Sequence, residues 1–135
     1  MRVRLTRSSI HNELLRRVAE LSEQDIMACY QCGNCSAGCP AAGAMDLLPN
    51  QIIRLLQLGQ VEEALSAKAI WYCAACLTCE ARCPKAIDLA RLTEALRTLA
   101  LEKGIEHVEI ADLPPELLAE LPQQACIGGF RKYKI

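Results

Sequence analysis

Two short runs of cysteine constrain this chain more than any other feature. Cys29, Cys32, Cys35 and Cys39 precede Pro40, and Cys73, Cys76, Cys79 and Cys83 precede Pro84, so each run reads C-x2-C-x2-C-x3-C-P. Adding 44 to each position of the first run gives the second, proline included. The same offset carries Leu48, Ile52 and Leu55 onto Leu92, Leu96 and Leu99. Each half is therefore a cysteine loop followed by an amphipathic helix, and the chain is an internal duplication. A tightly curled C-x2-C-x2-C loop can hold three corners of a cubane iron-sulfur cluster, and the fourth thiolate must come from elsewhere. In two-cluster ferredoxins the cysteine just before proline ligates the other cluster. That rule assigns Cys29, Cys32, Cys35 and Cys83 to a first 4Fe-4S cluster, and Cys73, Cys76, Cys79 and Cys39 to a second. Zinc ribbons space their cysteine pairs further apart. Nine cysteines is an odd number, which argues against a disulfide framework, and a reducing compartment leaves thiols free for metal.

The 135 residues suit one domain, 1–135, with a core at about 9–105 and an extension at 106–135 expected to dock to partners. Five aromatic residues are too few for an aromatic core, so cluster ligation is expected to supply the staples. A formal charge of −1 gives no field for a polyanion, which excludes nucleic acid as the default partner. Two oxidised cubanes at about −2 each make the loaded protein clearly acidic. The uncharged stretch from Ile26 to Met45 holds Gln31, Asn34, Pro40, three glycines and four cysteines, so no membrane span is expected. The basic start, Met1 to Arg7, leads into no apolar segment, which points to a cytoplasmic protein.

The expected fold class is all-α. Ile10, Leu14, Val18 and Leu21 mark a first helix with Ser8 or Ser9 as cap, and Ser22-Glu-Gln-Asp25 resembles a capping box leading into Cys29. Asp46 is the expected cap of a helix with Pro49 in its first turn and Gly59 as its stop. Val61 to Ala69 reads as a further helix. Asp88 caps another that Gly104 ends, and Pro114-Pro115 opens a short one closed by Pro122. The only strand considered is Val3 to Leu5.

The run Cys29-Tyr-Gln-Cys-Gly-Asn-Cys-Ser-Ala-Gly-Cys-Pro40, with Trp71-Tyr-Cys-Ala-Ala-Cys-Leu-Thr-Cys-Glu-Ala-Arg-Cys-Pro84, resembles the C-type subunit of heterodisulfide reductase. Met45-Asp-Leu-Leu-Pro49 and the Ile52-Ile-Arg-Leu-Leu helix are similar to the segment between that family's two motifs, and the likeness covers about residues 9 to 105. The resemblance implies an alpha-helical ferredoxin with two 4Fe-4S clusters. It also implies the electron-relay subunit of a soluble, flavin-based electron-bifurcating oxidoreductase complex in anaerobic metabolism. Electrons would pass from an A-like flavin and iron-sulfur subunit to a B-like cysteine-rich subunit that reduces a disulfide, with no substrate-converting site on this chain. A free dicluster ferredoxin, diffusing between enzymes, and a zinc-binding interaction module are the competing classes.

Other residues carry weaker readings. Gly33 and Gly38 are expected to let backbone amides approach cluster sulfides, where the second run has Ala74 and Ala75. Arg82 and Lys85 are either counter-charges or a solvated surface pair. Trp71 and Tyr72 are expected to bury against a cluster, and Leu89, Leu92, Leu96 and Leu99 to form core. His11 and His107 read as surface residues. Cys126 reads as a small buried hydrophobe or an interface contact, and Phe130 to Ile135 as a frayed tail or a hold on an acidic partner.

Overall fold

The computed structural model describes residues 5–6, 10, 12–105, 107–124 and 126–127, and among them there is no strand. The expected helices at Pro49, Asp88 and Pro115 are present. The chain divides into two compact units, Met1–Leu99 and Ala100–Ile135.

In the first unit, α1 is Glu13–Ser22, α2 Asn34–Ala37, α3 Pro49–Gln57, α4 Val61–Ser66, α5 Ala69–Tyr72 and α6 Thr78–Ala81; the longest element, α7, Leu89–Glu102, begins there. Asn12 caps α1 by accepting from the Leu15 N–H, and its amide donates to the Gly59 carbonyl at 2.9 Å, tying α1 to the end of α3. Ser8 and Ser9 lie outside the described residues. With Asn12 as cap, the buried face is Leu15, Val18 and Ser22, while Leu21 is exposed. Ser22 opens no capping box: it closes α1, with its hydroxyl donating to the Val18 carbonyl at 2.7 Å. Asp25 instead caps the 3-10 turn Ile26–Ala28 through the Met27 N–H at 3.0 Å.

Asp46 also serves a different helix from the one expected. The start of α3 is closed by the Gln51 side chain accepting from Leu48 N–H at 2.8 Å, with Pro49 in first position. The Asp46 carboxylate accepts from the N–H groups of Lys68 and Ala69, at 2.9 and 2.8 Å, at the start of α5. That capture, with Ala67 extended, splits the single helix expected over 61–69 into α4 and α5. Asp88 caps α7 as expected, through Arg91 N–H at 3.1 Å.

Ile52, Leu56, Val61, Leu65 and Ile70 pack with Leu92 and Leu96 into a core that is almost wholly shielded from water. The leucine stripe of α7 is core throughout, from Leu89 to Leu99. Pro49 and Ile52 of α3 and Leu89, Ala90 and Thr93 of α7 line one recess with the second cysteine loop. In the second unit, Gly104, at φ 72, ends the helix with Ile105 N–H donating to the Ala100 carbonyl. There α8 is Pro115–Glu120, with Pro115 at its first position. Val3 and the tail from Gly128 to Ile135 lie outside the described residues. No described helix is long and apolar enough to cross a membrane.

Candidate metal centres

The two cysteine loops have one backbone plan. Gln31 and Ala75, related by the 44-residue offset, are left-handed at φ 62 and 50, and so are Gly33 and Leu77, at φ 81 and 61. The turns that follow, α2 and α6, also differ by 44 at both ends. Each then closes on its fourth cysteine with matching bonds: Cys39 N–H to the Ser36 carbonyl and Cys83 N–H to the Glu80 carbonyl. These reversals wind each loop around its own thiols. Gly33 supplies the left-handed turn that glycine adopts most readily. Gly38 makes room for a side chain of the second half. A Cβ there would come within 2.4 Å of Arg82 Cδ, and Arg82 uses that room to donate from Nε to the Asn34 carbonyl at 3.2 Å. Arg82 thereby joins α6 to α2, while Lys85 is exposed.

Cys39 of the first run comes together with Cys73, Cys76 and Cys79 of the second. All four line one recess, walled by Pro40, Met45, Ile52, Leu77 and Leu89. Around the first run, the Tyr30 phenol has its pKa raised by residual desolvation, then by Cys32, which also hydrogen-bonds it, and by Cys83 and Cys29. Cys32 and Cys76, the middle thiols of their runs, are exposed, while the other six ligand candidates are half-buried. Burial pushes the thiols of Cys35 and Cys79 up, and the charges of Cys29 and Cys73 add to that. Cys76 is lowered by the hydroxyl and then the N–H of Thr78, with Sγ and Oγ1 3.4 Å apart.

The donor set fits iron-sulfur cubanes better than single ions. It consists of thiols alone, around an apolar recess. Among the described residues no three His, Cys, Asp or Glu side chains converge where one ion could sit, as a structural zinc requires.

Several residues that shape the loops were missed in the sequence. Gln57 donates through Nε2 to the carbonyls of Ile26 and Cys29, at 3.1 and 2.7 Å. Arg97 donates to those of Ile70 and Cys73, at 2.6 and 2.8 Å. In the first loop, Gln31 donates to Cys29 Sγ from its backbone and its side chain, at 3.4 and 3.5 Å. Asn50 then links Gln31 to Ser36. An arginine beside the leucine stripe of α7 was the readable hint, since a charge next to a core face needs acceptors. Trp71 is half-buried and Tyr72 exposed, so the burial expected of Tyr72 is not found; His107 is exposed and Cys126 half-buried. His11 lies outside the described residues.

The sequence profile of the 4Fe-4S dicluster domain matches residues 25–87. The C-type iron-sulfur subunit of the CoB-CoM heterodisulfide reductase of Methanopyrus kandleri is 38% identical over 94 residues, covering 69% of this chain and 49% of the relative. A C-type iron-sulfur subunit of the same reductase from Methanocaldococcus jannaschii is 36% identical over 60% of this chain and 43% of its own length. The C-type subunit of the ferredoxin:CoB-CoM heterodisulfide reductase of Methanosarcina mazei is 33% identical over 76% of this chain and 65% of its own. The chain spans about half the length of the first two of these relatives. With two repeated cysteine loops on an all-helical frame, the chain is an all-α, ferredoxin-like protein for two 4Fe-4S clusters, similar in sequence to the C-type subunits of heterodisulfide reductases.

Proposed function

We propose that this chain is the relay between two partners, an A-like flavin and iron-sulfur subunit that donates electrons and a B-like cysteine-rich subunit that delivers them to a disulfide. The clusters supply one-electron steps when bound, and the chain's residues hold, space and expose them. Cys29, Cys32, Cys35 and Cys83 hold the first cluster; Cys73, Cys76, Cys79 and Cys39 hold the second. The meeting of Cys39 with the three thiols of the other run in one recess carries this assignment. Cys32 and Cys76 reach the surface and give each ligand set its own outlet, the arrangement a relay with one donor and one acceptor needs. The disulfide chemistry is assigned to the B-like partner. The extension from residue 106 is assigned to docking, and the free thiols suit the cytoplasm.

Cys39→Ser tests the assignment. Iron content and Mössbauer spectra should show damage to the cluster of Cys73, Cys76 and Cys79, whereas loss of the cluster of Cys29, Cys32 and Cys35 would refute crossing. Anaerobic isolation from the native host should bring down the A-like and B-like chains together. Recovery without companions would instead favour the diffusible ferredoxin.

A further inference from the structure

The two halves fasten the same two carbonyls with different chemistry. Ile26 and Cys29 become Ile70 and Cys73 under the 44-residue offset. In the first half their carbonyls are held by Gln57, a neutral amide. In the second they are held by the Arg97 guanidinium, through Nε and Nη2. The donors are not repeat mates: the offset places Arg97 on Ile53, one helical turn before Gln57. A carbonyl clamp is thus present twice, but only the second carries a positive charge.

That charge is poorly screened. The Arg97 side chain is 21% exposed, while its ion-pair partner Glu94, 3.3 Å away, is 70% exposed. Water therefore weakens the carboxylate's opposing field more than the guanidinium's own. Glu80, half-buried, stands where the first half has Ser36, and Glu94 stands where it has Asn50.

We infer that Arg97 is a positioning residue that raises the reduction potential of the cluster bound through Cys73, by keeping a fixed positive charge on that ligand's backbone. Reduction is a one-electron step, 4Fe-4S(2+) + e− → 4Fe-4S(+), with no proton or bond exchanged. It takes the ligated centre from about −2 to about −3, so a nearby cation favours the reduced form. The inference rests on Cys73 being a ligand, and holds whether Cys39 or Cys83 completes that centre.

The test is an anaerobic dithionite titration of the full chain with both clusters, followed by electron paramagnetic resonance. The Cys73 cluster is identified by the signal that Cys79→Ser alters. Arg97→Gln keeps an amide donor of the kind Gln57 provides and removes the charge. It should shift that cluster's equilibrium toward oxidation by about tenfold, ~59 mV for a one-electron couple, and leave the other unchanged. Arg97→Lys should stay within about threefold of the parent, because it keeps the charge. Glu94→Gln should move the same cluster the opposite way without touching the carbonyls. Equal shifts for Arg97→Gln and Arg97→Lys, or none for Arg97→Gln, would overturn the inference. If Arg97→Gln fails to hold iron, Glu94→Gln decides: a raised potential supports the charge effect and an unmoved one refutes it. Cys39→Ser reads out ligand crossing separately, so either idea can fail without the other.

Discussion

Where the first loop sets glycine in a left-handed turn, the second sets leucine. Gly33 and Leu77 hold φ 81 and 61, and beside them Gln31 and Ala75 hold φ 62 and 50. A residue with a Cβ in that region costs about 1–2 kcal/mol. The second loop carries that strain at two positions, the first at one. The backbone path is nonetheless shared, so loop shape is not chosen by local preference. It is imposed by what each loop wraps and by the helices that anchor it. The anchors differ as well. Asp25 caps the turn entering Cys29 from the adjacent sequence. The offset places Ala69 where that aspartate would be, and Asp46 reaches the turn entering Cys73 from 23 residues away.

The strongest way to break the comparison is to remove the iron. Anaerobic chelation should unfold both loops cooperatively, seen as loss of helical circular dichroism together with cluster absorbance, because cluster binding is part of the folding free energy. If one half kept its structure, the strain would be locally supported there. Glycine exchange is next in size. Gly33→Ala should lower the stability of the loaded protein by about 1 kcal/mol in urea, since open space surrounds the new Cβ and only the left-handed backbone opposes it. Leu77→Gly should match the parent to within about 0.5 kcal/mol, because relief of strain offsets the greater freedom of the unfolded chain.

The smallest expected effect is on the anchors. Burial raises the Asp46 carboxyl, but the N–H groups of Lys68, Ala69 and Leu47 outweigh it and hold the pKa below the ordinary aspartate value of 3.8. A carboxyl depressed in the folded state stabilises above its unfolded pKa, and the benefit is lost as the pH falls through the folded one. Asp46→Ala should therefore cost about 1 kcal/mol at neutral pH. In urea melts at stepped pH the gap should close only below about pH 4. A gap independent of pH would assign the effect to packing.

Much of the fold was legible in the sequence. The offset of 44 identified the duplication, and the spacing of Leu92, Leu96 and Leu99 identified a buried helix, because periodicity is local information. The exchange of Asp46 from α3 to α5 was not legible. Its side chain can cap either helix from its place in sequence, and Gln51 settled the competition by closing α3 itself. Gln57, Arg97 and Arg82 escaped for a related reason. Each binds a carbonyl 24 to 48 residues away, and a carbonyl has no letter in the sequence.

The contact between Gly38 and Arg82 has a consequence for symmetry. The two positions are copies of each other under the repeat, yet a Cβ at 38 would push the end of the Arg82 side chain off its place beside the Asn34 carbonyl. A side chain at 38 or a glycine at 82 would each loosen the joint. A protein that doubles itself in this way must become unlike itself where its copies touch.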